Sequence, residues 1–202
     1  MELTALQKDA IVELFNIGMG MTASSLSEMV AEEVILSVPE VFLVTRGEAV
    51  ERLGLAEKTR VSTVRESFSG PFAGEALLLF PQADSLELVH ALLHEEMPME
   101  MLSEMEQEAL TEVGNIVLNA CLGSISNVFA QELSYQMPMF SHGECADVLN
   151  GDVGKERELV LIMRMDFRLQ RAKVDGYLTL IMDLASIHAF IEQIERFIQE
   201  IV

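Results

Sequence analysis

Three observations predict an α+β fold built from two copies of one unit. The octapeptide Asp9-Ala-Ile-Val-Glu13-Leu-Phe-Asn16 returns ninety-nine positions later as Glu108-Ala-Leu-Thr-Glu112-Val-Gly-Asn115. Each copy is followed, twenty-three residues after its asparagine, by a proline, Pro39 and then Pro138. The hydrophobic period then changes in the same order in both halves: helical, extended, hairpin, helical. Residues 1–202 therefore read as a single unit with internal repeats of approximately 1–97 and 98–202, related by a pseudo-twofold axis.

The same offset also matches Thr4 with Ser103, Gln7 with Glu106, Ile17 with Ile116, Ser27 with Ser126 and Ala31 with Ala130. Thr4-x-x-Gln7 and Ser103-x-x-Glu106 both have the spacing of a capping box, which predicts long helices beginning near residues 5 and 104. Extended segments follow around the prolines, Val34–Val38 and Val41–Val44 in one copy, Tyr135–Met137 and Met139–Phe140 in the other. A proline there fits an edge strand or a break between two short strands. Hairpins come next, over about 60–68 with 74–80 and 158–168 with 176–183, with Gly74 and Gly176 expected to open their second strands. Helices over 84–95 and 185–202 close the two halves, the last with an apolar stripe of Ile187, Phe190, Ile191, Ile194, Phe197, Ile198 and Ile201 suited to packing on a sheet.

Half the chain is apolar, enough for an ordinary core. No apolar run approaches the roughly 18 residues of a membrane span, and the start of the chain lacks the order of a signal peptide, so a cytoplasmic protein without membrane insertion is expected. Cys121 and Cys145 have no metal or redox spacing and read as buried or idle thiols. The 33 acidic residues against 13 basic ones give a net charge of −20, which argues against nucleic acid and anionic lipid as partners because both would be repelled.

At about 100° per residue, Asp9, Glu13, Asn16 and Gly20 share one stripe of the first helix. Leu6, Ala10, Leu14, Ile17 and Met21 centre on another, predicted to face the core with Ile11, Phe15 and Gly18. In the second helix Glu108, Glu112, Asn115 and Asn119 lie opposite Met105, Ala109, Val113, Ile116 and Ala120. A Glu and an Asn three apart project side by side, with Cβ atoms about 5–6 Å apart. On one helix such residues are ordinary solvated surface; repeated in register with a distant proline, they point to a site built twice.

The chain has no nucleophile–base pair, phosphate-cradling glycine loop or firm metal set; His90 and His94 beside Glu95 and Glu96 lack a third ligand. A carboxamide can orient an attacking water, and a carboxylate can pair with a lysine. Such groups would complete chemistry whose metal and phosphoryl group belong to a partner.

The pattern Asp/Ser-x3-Glu-x2-Asn with its distant proline, together with Asn16-Ile-Gly-Met-Gly20, resembles the signature of the CheC-type chemotaxis phosphatases, the CheC/CheX/FliY family. The resemblance spans essentially the whole chain and implies a CheC-like fold and hydrolysis of the aspartyl phosphate of a response regulator, CheY-P, without a covalent phospho-enzyme. It assigns Asn16 and Asn115 to orienting water and Glu13 and Glu112 to docking the regulator's lysine, with Asp9, Glu108, Pro39 and Pro138 supporting the motif. It implies no cofactor of the chain's own, Mg²⁺ being carried by the regulator, and the receptor deamidase CheD as a possible further partner. Copy two departs from the pattern in having Glu108 for Asp9, and it carries Asn119 where copy one has Gly20, so copy one is expected to be active and copy two active or weakened. The rival reading is a non-catalytic interaction protein of the chemotaxis or flagellar switch system, CheD-binding or a scaffold. The retained Glu–Asn pairs, and a chain ending just after its last helix, favour a stand-alone phosphatase.

Overall fold

A computed structural model describes residues 2–31, 33–93, 99–150, 158–169 and 173–201. In chain order the elements are α1 (Ala5–Val30), β1 (Ile35–Thr45), a 3-10 turn (Arg46–Glu48), α2 (Ala49–Leu53), β2 (Arg60–Ser69), β3 (Gly74–Pro81) and α3 (Gln82–Leu93). They continue with α4 (Met99–Val128), β4 (Ser134–Tyr135), β5 (Met139–Glu144), α5 (Cys145–Asn150), β6 (Leu159–Arg168), β7 (Lys173–Met182) and α6 (Leu184–Ile201). All seven strands join one antiparallel sheet in the order β1-β6-β7-β3-β2-β4, with β5 also paired to β2. The α+β class and the two hairpins are as the sequence predicts.

The pairings obey the ninety-nine-residue offset. Ile35 faces Arg168 and Leu36 faces Phe167, while Ser134 faces Ser69 and Tyr135 faces Phe68. After the proline, Glu40 faces Arg164 in one copy and Met139 faces Arg65 in the other. The first strand of each copy is therefore hydrogen-bonded to the other copy's hairpin, and β3 and β7 meet at the centre. Proline lacks a backbone N–H and cannot sit in a regular ladder. Pro39 accordingly lies inside β1 where the register shifts between Ser37 and Glu40, and Pro138 separates β4 from β5.

Period-two alternation sends β-strand residues to two cores. Leu161, Met163, Met165 and Phe167 join the main core beneath α1, α3, α4 and α6. Val160 and Ile162 join a smaller core on the other face with Val50, Leu53, Cys145 and Leu149 from α2 and α5. Phe72, Phe129 and Phe190 stack edge to face in the main core, fixing α4 and α6 to the β2–β3 turn. The stripe expected on α6 packs as proposed: Ile187, Phe190, Ile191 and Ile194 are buried, with Phe197 and Ile198 packed alongside. Cys121 and Cys145 are both buried, and loss of hydration raises both thiols above their usual range, Cys145 to about 11.

Three local expectations are corrected. The Thr4–Gln7 capping box forms, with Gln7 N–H donating to Thr4 Oγ1 at 3.2 Å and Thr4 N–H to Gln7 Oε1 at 2.9 Å. Its partner does not, because α4 begins at Met99 and Ser103 falls within the helix. Glu106 turns inward instead and accepts from Ser62 Oγ (2.6 Å) and Ser85 Oγ (2.7 Å), tying α4 to β2 and α3. Gly176 does not open its strand but lies inside β7, where a Cβ would stand 2.6 Å from the Phe80 ring. The buried face of each motif helix is also rotated by about one residue. Leu6, Ile17 and Met21 are 55%, 45% and 53% exposed, whereas Ile11, Leu14, Phe15, Gly18 and Thr22 are buried. Gly18 allows this, since a Cβ there would lie 2.7 Å from Ser124 Oγ of α4. His94, Glu95 and Glu96 lie outside the described residues.

Candidate functional site

Helical spacing brings each set of motif residues to one side of its helix. On α1, Asp9, Glu13 and Gly20 are exposed and Asn16 is half-buried; on α4, Glu108 and Glu112 are exposed and Asn115 and Asn119 are half-buried. Glu13 and Asn16 are thus neighbours on α1, as are Glu112 and Asn115 on α4, and α1 packs directly against α4.

The surroundings of the two asparagines differ. Val38 is buried and stands where the β1–β6 register breaks before Pro39, so its backbone groups need partners outside the ladder. Asn16 supplies both: Val38 N–H donates to Asn16 Oδ1 at 2.9 Å, and Asn16 Nδ2 donates to the Val38 carbonyl at 3.2 Å. The recurrent spacing from asparagine to proline has a physical meaning here, since the carboxamide fills the break that the proline creates.

In the second copy the residue equivalent to Val38 is Met137, which is 87% exposed. Among the described residues no hydrogen bond joins Asn115 to it. Asn115 Oδ1 instead accepts from Asn119 Nδ2 at 2.7 Å, one helical turn on. Gly20, at the matching place on α1, has nothing within 4 Å of where its Cβ would be. Tyr135, Met137 and Met139 are all exposed on β4, β5 and the link between them, and α4 packs against β5.

Glu108 and Glu112 also line a cavity of about 830 Å³ at the amino-terminal part of α4, with Met29, Leu92, Met105 and Ala109 supplying an apolar wall. Anionic groups beside apolar surface suit a partner that offers a cation with hydrophobic flanks. Among the described residues no group of three or more His, Cys, Asp or Glu side chains could hold a metal ion, and no helix is long and apolar enough to cross a membrane. The doubled carboxylate–carboxamide pair can therefore bind a cationic group and orient water, but carries no nucleophile activated by a base.

Sequence reasoning missed Glu66. It points into the main core from β2, is 1% exposed, and has no partner for either carboxylate oxygen among the described residues. Burial raises its pKa to about 7. Its equivalent in the second hairpin is the core residue Met165, so the departure from the repeat is its one sequence signal.

A duplicated antiparallel sheet carrying a helix-borne acid–carboxamide pair in each copy defines the class of protein. No family model matches the chain. It is 25% identical over 138 residues to the CheY-P phosphatase CheC of Bacillus subtilis, a match covering 67% of this chain and 66% of that protein. FliY of Thermotoga maritima has the same fold, with a TM-score of 0.77 at 16% identity over 99% of both chains. A complex of CheX with CheY, BeF3 and Mg²⁺ from Borrelia burgdorferi contains a chain related by a TM-score of 0.51 at 19% identity, over 84% of this chain and 98% of that one. The chain thus resembles the CheC, CheX and FliY phosphatases, in sequence at 25% identity to CheC and in fold to FliY and CheX.

Proposed function

We propose that this protein hydrolyses the aspartyl phosphate of a CheY-type response regulator in bacterial or archaeal chemotaxis signalling. The observation that carries the proposal is the pair of an exposed Glu and a half-buried Asn repeated on α1 and α4, in a chain similar to a CheY-P phosphatase. Glu13 and Glu112 dock the regulator's cationic lysine, and Asn16 and Asn115 orient water. Water attacks phosphorus in line, the bond from phosphorus to the aspartyl oxygen breaks, and the regulator's carboxylate and inorganic phosphate are released. The acceleration comes from positioning and electrostatics, because no group of this chain becomes phosphorylated. Asp9, Glu108, Pro39 and Pro138 shape the two sites.

The protein needs no cofactor of its own; Mg²⁺ belongs to the regulator, as the CheX relative bound to CheY, BeF3 and Mg²⁺ suggests. The reaction takes place in the cytoplasm, and CheD is a candidate second partner. The carboxamide of Asn16 is bonded at both ends to Val38, whereas Asn115 keeps its Nδ2 without a partner among the described residues. Site two is therefore the better prepared of the pair, against the expectation from the motif alone.

The test is phosphate release from a CheY-type regulator phosphorylated with acetyl phosphate, with wild-type protein, Asn16→Ala, Asn115→Ala and the double variant. Wild-type protein accelerates release, Asn115→Ala lowers site-two turnover on the order of 10²-fold, and the double variant abolishes acceleration. No acceleration by wild-type protein against any regulator of its host replaces this reading with the non-catalytic interaction role.

A further inference from the structure

We propose that Asn119 is the positioning residue of site two, fixing Asn115 in the orientation that turns over phosphate; this rests on the phosphatase reading above. A carboxamide on an exposed helix face samples several rotamers, and its oxygen and nitrogen can exchange places by a half-turn of the terminal torsion. Ordering it during each encounter would cost free energy that a preformed hydrogen bond avoids. Asn119 Nδ2 donates to Asn115 Oδ1 at 2.7 Å, and both side chains are half-buried. That bond sets which end of Asn115 is oxygen and holds its plane. It occupies one of the two lone pairs of Oδ1, so the other can accept a hydrogen from water while Nδ2 donates toward the regulator.

Copy one has no such arrangement. Gly20 offers no side chain, and Asn16 is oriented by the Val38 backbone, which accepts from its Nδ2 and donates to its Oδ1. Both asparagines are thus held, but by different means: Asn16 by a bond at each end, Asn115 by one bond that leaves the amino group open. The Asn119 donor is what permits an oriented carboxamide at a strand break whose backbone does not hold it.

The experiment compares Asn119→Ala, Asn119→Asp and Asn119→Gln in both the wild-type and Asn16→Ala backgrounds, using steady-state phosphate release from a CheY-type regulator phosphorylated with acetyl phosphate. Asp has the shape of Asn but only accepts when ionised, so it removes the donor while preserving volume. The expected result is a fall in kcat of about 10-fold for the Ala and Asp variants with KM held within about twofold, and partial recovery in Gln, which keeps an amide donor. Circular dichroism confirms that each variant is folded. If Asn119→Asp turns over at the parent rate, or if KM rises while kcat is held, the positioning role is overturned while the phosphatase reading stands. If wild-type protein gives no acceleration, the phosphatase reading itself fails, and the positioning role fails with it.

Discussion

Asn16 and Asn115 occupy equivalent turns of two helices related by duplication and are both half-buried, yet one bonds to a strand backbone and the other to a side chain of its own helix. Asn16 bonds at both ends to buried Val38, at a break that Pro39 creates in β1. Among the described residues Asn115 hydrogen-bonds to Asn119, beside a strand break whose Tyr135, Met137 and Met139 are exposed. The same residue at the same spacing is thus bonded to a strand backbone in one copy and to a side chain of its own helix in the other. The motif recurs in both copies while the hydrogen bonding of its asparagine differs.

Stability measurements on the two alanine variants separate these roles most strongly. Asn16→Ala strips partners from a buried N–H and a buried carbonyl at once, and should lower stability by about 3 kcal/mol. Asn115→Ala leaves no backbone group unpaired and should cost under about 1 kcal/mol. Urea denaturation followed by circular dichroism reads both; equal losses would remove the contrast, and a larger loss for Asn115→Ala would invert it.

A second departure from the repeat lies in the core, where Glu66 on β2 stands in the place that Met165 takes on β6. Its carboxyl titrates at about 7 in the fold, against 4.5 when free. Because the folded pKa is the higher one, the folded state favours the protonated acid. The contribution of Glu66 to stability is therefore most favourable below about pH 4.5 and is lost as pH rises through 7, where the unfolded chain ionises freely and the fold resists. Glu66→Met should stabilise the protein, with a gain that grows by about 2 kcal/mol between pH 5 and pH 8. Thermal unfolding at the two pH values checks this, and a gain independent of pH would show that the carboxyl is ionised in the fold throughout.

Those contrasts also mark where the sequence was legible. Spacing alone gave the Thr4–Gln7 cap and the duplicated hairpins, because caps and strand periods are local. The motif gave the resemblance to the CheC-type phosphatases, which the sequence likeness to CheC and the shared fold of FliY bear out. Glu106 has the local spacing of a cap, but its partners Ser62 and Ser85 arrive from β2 and α3. Gly176 looks like a turn residue until the Phe80 ring of the neighbouring strand is placed over it. The buried face of α1 lies about one residue from the apolar stripe because Gly18 provides the close approach to α4 and leaves Ile17 and Met21 outside. At the site, the stripe of Glu and Asn was legible, but Val38 bonding to Asn16 was not, since it depends on a strand twenty-two residues further along the chain packing back on the helix.

The rim of site two gives the smallest expected effect and the finest test of the comparison. Met137 and Met139 are 87% and 67% exposed, while their counterparts in copy one are buried Val38 and the acidic, exposed Glu40. Methionine is flexible and polarizable, and suits a surface that adapts to a partner's contour. Being exposed, both can be changed at little cost to the fold, so replacing the pair with serine should alter stability by no more than about 0.5 kcal/mol. If regulator docks over this rim, the double serine variant loses apolar contact in the bound state while Asn115 and Asn119 are untouched. KM for phosphorylated regulator should then rise about 3- to 10-fold with kcat held. The Glu40→Ser variant, the matching change at site one, should leave KM within about twofold. A drop in kcat for the methionine variant would show that the rim aligns the catalytic pair instead of binding the partner, and unchanged kinetics would place docking elsewhere on α4.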